Sequence, residues 1–467
     1  MKNIILLTID DLRYDYSHVI IKKINETIGR GIEFEKAYST GTSSIFSFLG
    51  ILCSKYSISP DEEMSYLIHK GGSLGIAYDP NKMHKRIYLT EILKNKNFET
   101  YVIANVPFIA NIEYRNTIDR FITGYNTSNK EKAIMSVEKL FSAIENKNPN
   151  LRGFGEFRKR FYRILKSLIY GIHLEKAPYC SAKEITTLVK EFINKKNGRG
   201  KFIHAHYLEL HTPFFSNGYI EKKFEVADII KINRAISDGK TKKISDEELR
   251  LYKKMYLTQA EYIAENIVNL LYELKKSNFL KDTIIILTAD HGQFFGEHKM
   301  PCGHGTLAIR DSKDLLKLLH EEIVHIPLII YGLGKKRISK AVSQIGIPPT
   351  ILSLLEIETP NLWYGENLLN NSNKPVISEA RSGTHEYYSV RTKDWVFLYD
   401  EINGQSCLYH IGSEDNNLAD THLDIVAEMK TIIADHKNKK DKKWKTHLKN
   451  KIKNFLKINR KKSDIPF

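Results

Sequence analysis

Short apolar runs alternate with longer amphipathic stretches along most of the chain. The amphipathic stretches show helical periodicity, and they cover residues 87–96, 130–146, 182–195 and 246–276. The apolar runs have the length and the Ile and Leu content of buried parallel strands, and they cover residues 4–9, 99–104, 201–206, 283–288 and 326–331. This alternation predicts an α/β fold with a mostly parallel sheet and helices on both faces. In such sheets, ligands bind beyond the carboxyl ends of the strands.

Two segments depart from this alternation and suggest how the chain is divided. Residues 148–181 are basic and rich in aromatic side chains but carry no clear strand signal, so we expect an insertion or lid on a catalytic domain of residues 1–384. Residues 385–430 contain short strand-like runs around a turn at Asn403 and Gly404, which predicts a small antiparallel subdomain. Residues 431–467 then form a basic tail.

The positive charge of the chain is concentrated near its C-terminal end. Residues 437–462 contain 13 Lys or Arg residues and one Asp, and they supply most of the formal net charge of +16. The remaining body is nearly balanced, so nucleic-acid binding is not predicted. Apolar residues recur at helical spacing among these lysines, which fits either an amphipathic helix on an anionic membrane or a solvated, partly disordered end. They are Trp444, Leu448, Ile452, Phe455 and Leu456.

The N-terminal run and the cysteines carry weaker information. Residues 4–9 are too short an apolar run for a signal peptide or a membrane span, so a cytoplasmic location is the default prediction. The four cysteines are widely spaced and show no C-x-x-C pair, and we interpret them as packing residues.

Acidic residues follow two of the predicted strands directly. Asp10 and Asp11 come after residues 4–9, and Asp290 and His291 come after residues 283–288. Carboxylates and imidazoles at one sheet edge are suitable ligands for a divalent cation. Asp is also common where a strand ends or a helix is capped, but the convergence of two strand ends favours a metal site.

Hydroxyl and imidazole groups occur near the same predicted edge. The sequence AYSTGTSS at residues 37–44 leads from a probable strand into an apolar helix, where a hydroxyl could act as a nucleophile or simply cap the helix. His206, His211 and His304 are candidates to bind an anion or to protonate a leaving oxygen. His204 and His298 are weaker candidates, because isolated histidines are more often core or surface residues.

The order of these motifs resembles the sulfatase family of the alkaline phosphatase superfamily. NIILLTIDDLRYD, AYST, HYLELHTPF, TADHGQFFGEH and HIPLIIYG occur as that family's landmarks do, and SVRTKDWVFLYD with LYHIGSEDNNLA is similar to its terminal hairpin. The resemblance implies an alkaline-phosphatase-like fold over roughly residues 3–420. It also implies a metal-dependent hydrolase of sulfate esters, with a small-molecule or glycan ester as its substrate.

Residue roles follow from the same resemblance. Asp10, Asp11, Asp290 and His291 match the metal ligands, which usually hold one Ca²⁺, with Mg²⁺ or Mn²⁺ as alternatives. Ser44 matches the nucleophile, with Thr42 and Ser43 as rivals in the same turn. His211 and His304 resemble the residues that bind the anion or protonate the leaving group, and His206 is grouped with them as a candidate catalytic residue.

The sequence departs from the family pattern immediately after Ser44. The maturation signature, a Cys or Ser followed by x-P-x-R, is missing, because Ile45, Phe46, Ser47 and Phe48 follow Ser44. The absence of the Pro and the Arg counts against conversion of Ser44 to formylglycine. An unmodified serine suits a phosphodiesterase, phosphonate hydrolase or phosphotransferase of the superfamily, which is the first alternative. A catalytically weakened anion- or glycan-binding homologue is the second.

Overall fold

A computed structural model describes most of the chain. It covers residues 2–56, 86–104, 112–123, 177, 179–195, 198–238, 244–303, 315–382 and 385–463. The predicted helix at residues 130–146 lies outside the described residues, as does nearly all of the predicted insertion at 148–181. Those two predictions therefore stay predictions.

A mostly parallel sheet of eight strands forms the centre of the described structure. Its order is β4-β3-β5-β1-β6-β7-β2-β8, and β7 runs antiparallel to both of its neighbours. All five strands predicted from apolar runs are present, each within a residue or two of its expected bounds. The strands are β1 Asn3–Ile9, β2 Ile32–Tyr38, β3 Phe98–Ile103, β4 Arg120–Ile122, β5 Gly200–Tyr207, β6 Thr283–Ala289, β7 His325–Tyr331 and β8 Lys336–Ser343.

The central strand is buried along its whole length. Every residue of β1 is buried, and its neighbours β5 and β6 are equally buried on its two sides. A strand covered on both faces has no polar face to present, which is why β1 reads as a continuous apolar run. Thr8 is its one buried hydroxyl.

Two groups of helices flank this sheet. Helices His18–Ile28 and Ala182–Ile193 pack against the long helix Asp246–Lys276. In the second group, Ser44–Cys53 packs against Leu89–Asn95 and Ile347–Leu354. Further described helices are Ile112–Asn116, Val226–Asp238 and Glu321–Val324, with 3₁₀ turns at Ile220–Lys222, Leu280–Asp282, Glu297–Lys299, Leu315–Leu319 and Gln344–Gly346.

Capping explains the starts of two helices. Ser181 accepts a hydrogen bond from the backbone amide of Glu184, and the Glu184 carboxylate accepts one from the Ser181 amide. Ser245 and Glu248 repeat this reciprocal pair at the start of Asp246–Lys276. Each pair satisfies amides that a helix start leaves without partners, so these two helices begin close to where their sequence predicts.

A second, antiparallel sheet lies toward the C-terminal end. Its order is β12-β11-β10-β9. β9 belongs to this sheet and precedes residue 385, so the sheet starts earlier than the predicted subdomain. The division of the chain at residues 384 and 385 stays a prediction. The strands are β9 Val376–Ser382, β10 His385–Arg391, β11 Trp395–Asp400 and β12 Ser406–His410.

The basic tail continues a helix that starts in the preceding segment. The helix Leu423–Ser463 buries Val426, Met429 and Ile433 against the antiparallel sheet. The predicted boundary between residues 430 and 431 falls inside this helix. Among the helices described, none combines the length and apolar character needed to cross a bilayer.

Candidate active site

Parallel pairing of the central strands brings the two acidic motifs together. β1 and β6 are in register, with Ile9 opposite Ala289, so Asp10 and Asp290 leave the same sheet edge side by side. Asp10, Asp290 and His291 are completely buried. The predicted convergence of the two strand ends is therefore present in the structure.

The turn after β1 directs two successive carboxylates toward one region. Consecutive side chains of a strand point in opposite directions, but Asp11 has a left-handed backbone with φ of 61°. The Tyr256 hydroxyl donates a hydrogen bond to the Asp11 carbonyl oxygen at 2.7 Å and accepts one from the Arg13 amide at 3.1 Å. This buried tyrosine thus holds the turn in place. No sequence pattern indicated that role.

Ser44 is the hydroxyl that meets this acidic group. It is the first residue of the helix Ser44–Cys53 and is 6% exposed. Its Oγ lies 3.1 Å from His291 Nε2 and 3.4 Å from Asp10 Oδ2. The neighbouring Thr42 hydroxyl is also buried but makes no hydrogen bond. Of the two, Ser44 has contacts to both acidic motifs.

Glycine is required just before this serine. A Cβ on Gly41 would lie 2.4 Å from the Cβ of Phe46. The Gly41 carbonyl oxygen accepts hydrogen bonds from the hydroxyls of Ser39 and Ser47. The close approach of the turn to the first helical residues fixes where Ser44 begins the helix.

A buried threonine positions two histidines of β5. The Thr8 Oγ1 atom lies 2.9 Å from His206 Nδ1 and 2.9 Å from His204 Nε2. The other nitrogen of His206, Nε2, is 3.3 Å from Asp10 Oδ2, so His206 belongs to the site. Burial lowers the pKa of His204 to about 3, with a smaller contribution from His206 in the same direction, so His204 stays neutral.

Of the other candidate histidines, some lie at the site and some do not. His211 is partly exposed, and one of its ligand-capable atoms lies within 4.8 Å of atoms from Asp10 and Asp11. His298 contacts Glu322 and stacks on His320. His304 lies outside the described residues, and its predicted role stays a prediction.

The buried charges of the site act strongly on one another. Burial is the largest effect and opposes ionisation of Asp10, but the hydrogen bond with His206 and the charges of His211 and His206 together outweigh it, so the pKa of Asp10 lies below its ordinary value. Burial and the nearby Asp10 carboxylate raise the pKa of Asp290. Burial disfavours the charged form of His291, yet Asp290 and Asp11 overcome it and raise the pKa of His291 to about 10.

The donor set fits a divalent cation. Asp10 Oδ1 and Asp290 Oδ2 are buried and accept no hydrogen bond. Two groups of ligand-capable atoms share Asp10, one with His206 and Asp290 and one with Asp11 and His211. Buried carboxylate oxygens without donors are costly unless a cation compensates them, and carboxylates are the ligands that Ca²⁺, Mg²⁺ and Mn²⁺ prefer.

Glu209 is a further buried carboxylate beside the site and was missed in the sequence. It lies between His206 and His211 in the chain, and its carboxylate accepts hydrogen bonds from the backbone amides of Ala182 and Leu208. Burial raises the pKa of Glu209 to about 7, against the lowering effect of these amides. Its position within HYLELHTPF, between two candidate histidines, could have identified Glu209 as a site residue from the sequence.

The family comparison matches most of the chain. The model described as Sulfatase matches residues 2–357. Arylsulfatase K of Canis lupus familiaris is 25% identical over 179 residues, which are 34% of this chain and 31% of that protein. N-acetylglucosamine-6-O-sulfatase of Bacteroides thetaiotaomicron is 28% identical over 187 residues, 36% of this chain and 31% of that protein. The alignments thus span about a third of these relatives' length.

Solved structures share the fold over nearly the whole chain. BT4656, in complex with its substrate D-glucosamine-2-N,6-O-disulfate, has a TM-score of 0.62 at 15% identity and covers 94% of this chain and 98% of its own. The phosphonate monoester hydrolase SpPMH from Silicibacter pomeroyi has a TM-score of 0.63 at 15% identity, covering 94% and 96%. At this identity the likeness establishes the alkaline-phosphatase-like fold.

Replacing Glu209 tests how its burial affects stability. The unfolded carboxyl group ionises near pH 4.5, but the folded one keeps its proton to about pH 7. The unfolded state is therefore favoured progressively as the pH rises through this window, and the lost stability stays lost above it. We expect Glu209→Gln to gain stability relative to the unmodified protein by up to about 3 kcal/mol between pH 4.5 and 8.

Urea unfolding at a series of pH values measures this difference. The exposed Glu225→Gln serves as the matched control and should follow the unmodified protein at every pH. Parallel stability curves for Glu209→Gln and the unmodified protein would contradict the raised pKa of Glu209.

Proposed function

The chain belongs to the sulfatase family, and from this premise we propose that it hydrolyses sulfate esters with a bound divalent cation and Ser44 as nucleophile. The observation that carries the proposal is the position of Ser44 Oγ, 3.1 Å from His291 Nε2 and 3.4 Å from Asp10 Oδ2. A reactive hydroxyl beside buried carboxylates suited to a cation is the arrangement that ester hydrolysis requires.

Asp10, Asp11, Asp290 and His291 would hold the cation. Ca²⁺ is the first candidate because three of the four ligands are carboxylates, and Mg²⁺ and Mn²⁺ are the alternatives. The cation would neutralise the oxygens of the sulfuryl or phosphoryl group and lower the pKa of the attacking hydroxyl.

The imidazoles supply the proton chemistry around Ser44. His291 Nδ1 lies 2.9 Å from the Gly292 carbonyl oxygen and donates to it, so in the neutral form the lone pair of Nε2, 3.1 Å from Ser44 Oγ, would be free to bind the cation beside the serine. His211 is partly exposed and therefore within reach of a substrate, and we assign it protonation of the leaving oxygen. The hydrogen bond between Thr8 Oγ1 and His206 Nδ1 orients the imidazole so that its Nε2 is directed at Asp10.

The substrate class follows from the relatives. One relative is named N-acetylglucosamine-6-O-sulfatase, and the structural neighbour BT4656 is in complex with its substrate D-glucosamine-2-N,6-O-disulfate. Both names refer to sulfated sugars. We therefore propose a small-molecule or glycan sulfate ester as the substrate of this chain. Nucleic-acid binding is not part of the proposal, and the cytoplasmic location stays a prediction.

Phosphoester chemistry is the second candidate function. Two ligand groups share Asp10, and a second cation recruited through His211 would suit phosphoryl transfer by an unmodified serine. The structural neighbour SpPMH is named a phosphonate monoester hydrolase. A catalytically weakened binding protein is the third possibility, and the activity measurement below addresses it.

Changing Asp290 to Ala should abolish hydrolysis. The substitution removes a buried carboxylate from the proposed cation site, so release of nitrophenol from aryl sulfate and aryl phosphate should fall at least about 100-fold. The ratio of the two unmodified rates separates sulfate-ester from phosphate-ester hydrolysis. Asp282→Ala is the control, because Asp282 is an exposed aspartate at the other end of β6. Equal rates for the Asp290→Ala variant and the unmodified protein would reject the proposed site.

Intact-mass analysis of the Ser44 peptide from the native host should show unmodified serine. The residues after Ser44 are Ile45 to Phe48, without the Pro and Arg of the maturation signature. A formylglycine mass would contradict this expectation and show that a modified residue, rather than the serine itself, is the nucleophile. A phosphorylated Ser44 peptide after incubation with an aryl phosphate would instead support the phosphoester alternative.

We also propose that the distal part of the C-terminal helix contacts anionic lipid. The proximal part is anchored, since the Lys440 ammonium pairs with buried Glu379 and that of Lys443 donates to the Trp363 carbonyl oxygen. Beyond this point lie eight further Lys or Arg residues and one Asp. These basic residues would attract anionic headgroups within a Debye length.

Deleting residues 447–467 should weaken binding to phosphatidylserine vesicles while leaving the anchored part of the helix intact. Co-sedimentation at low and high salt measures the effect, and binding of the full chain should fall as salt screens the lysines. Vesicles of neutral lipid are the control. Equal binding of the truncated and full-length chains to anionic vesicles would refute the lipid contact.

A further inference from the structure

A second cluster of metal-ligating side chains shares no residue with the site around Ser44. His298, His320, Glu322 and Glu414 each offer one ligand atom, and these four atoms lie within 4.8 Å of one another. They come from three parts of the chain: the turn after the Asp290 motif, the start of the helix Glu321–Val324, and the segment after β12. Such convergence of distant segments is what a bound ion would use.

The spacing between His298 and Glu322 is close to that of two neighbouring ligands of a tetrahedral ion. His298 Nε2 lies 3.1 Å from Glu322 Oε1 and 3.2 Å from Oε2. Ligands at zinc–nitrogen and zinc–oxygen distances on neighbouring tetrahedral corners are about 3.4 Å apart. His320 Nδ1 also contacts Glu414 Oε2 directly. The cluster therefore consists of two imidazole–carboxylate pairs.

The two imidazoles are stacked on each other. The ring centroids of His298 and His320 are 4.1 Å apart, with an angle of 28° between the planes. Each ring also contacts one carboxylate, His298 through Nε2 and His320 through Nδ1. One ion could therefore contact both pairs at once, since the four ligand atoms lie within 4.8 Å of one another.

The cluster is backed by a second layer of polar groups. The Glu414 side chain is 8% exposed, and its Oε1 accepts no hydrogen bond but lies 3.5 Å from the Arg391 guanidinium. Arg391 is completely buried and also pairs with Glu321 at 2.8 Å. Partners that orient a ligating carboxylate in this way are typical of protein metal sites.

The backbone at His298 is held in an unusual conformation. His298 and Lys299 have φ values of 54° and 61°, in the left-handed region that non-glycine residues rarely adopt. Such a conformation persists where surrounding contacts hold it. Here it directs the imidazole of His298 toward Glu322.

We propose that His298, His320, Glu322 and Glu414 form a structural zinc site that joins the turn after the Asp290 motif to the C-terminal sheet. Two imidazoles and two carboxylates are a ligand set that zinc accepts, and four protein ligands close the site to substrate. The site is separate from Ser44 and does not rest on the proposed hydrolase activity.

Zinc binding is tested in the full chain carrying Asp10→Asn and Asp290→Asn, which disable the cation site beside Ser44. Titration with zinc against a chromophoric chelator should give one tight site per chain, and zinc at 100 times its dissociation constant should raise the Tm by about 3 °C. Cobalt in place of zinc should give the intense visible bands of a tetrahedral ion. None of these readouts depends on hydrolysis.

Conservative variants decide whether the cluster is the site. His320→Gln and Glu414→Gln in the same background should each weaken zinc binding at least about 100-fold and remove the cobalt bands. His422→Gln, at a partly exposed histidine near Glu414 in the chain, should leave both unchanged. If circular dichroism shows that the His320→Gln or Glu414→Gln variant is misfolded, His298→Gln on the turn replaces it in the zinc and cobalt measurements. Tight zinc binding that survives these substitutions, or no zinc binding by the background protein, would overturn the proposal.

Discussion

The arrangement of this molecule depends on burying several like charges at one sheet edge. Asp10, Asp11 and Asp290 are all buried, and one carboxylate oxygen of Asp10 (Oδ1) and one of Asp290 (Oδ2) accept no hydrogen bond. Carboxylates in such surroundings destabilise a fold unless opposite charge compensates them. The nearby imidazoles compensate in part, as the raised pKa of His291 shows. The proposed cation would complete the balance, so the same charges that carry the chemistry would also set the metal requirement of the fold.

Much of this edge could be predicted because its signals are local. One continuous apolar run ends at Asp10 and Asp11, and another ends just before Asp290. Each run predicts a buried strand and the point where the chain leaves the sheet. Parallel pairing then needs no further information to place the exits together. His206 was found for the same reason, because it lies in the buried strand β5, next to β1 in the sheet.

Other features depend on contacts between distant residues and left little trace in the sequence. Thr8 bridges His204 and His206 from the neighbouring strand, and its only signal is a hydroxyl in an apolar run. Tyr256 fixes the turn at Asp11 from the middle of a long helix, where a tyrosine reads as an ordinary core residue. β7 runs antiparallel between β6 and β2 in the sheet, and apolar content does not encode strand direction.

A short helix forms one of the contacts between the C-terminal sheet and the catalytic edge. The Gly292 amide donates to the Ile323 carbonyl oxygen at 2.7 Å, and a Cβ on Gly292 would lie 2.2 Å from the Glu322 carbonyl oxygen. The turn that carries Asp290 and His291 therefore rests directly on the helix Glu321–Val324. Arg391 of β10 holds that same helix through Glu321. Because the closest packing at Gly292 leaves no room for a side chain, displacement of the C-terminal sheet would be transmitted to His291 and so to Ser44. The sheet thus acts as a support for the site, whichever ester the site cleaves.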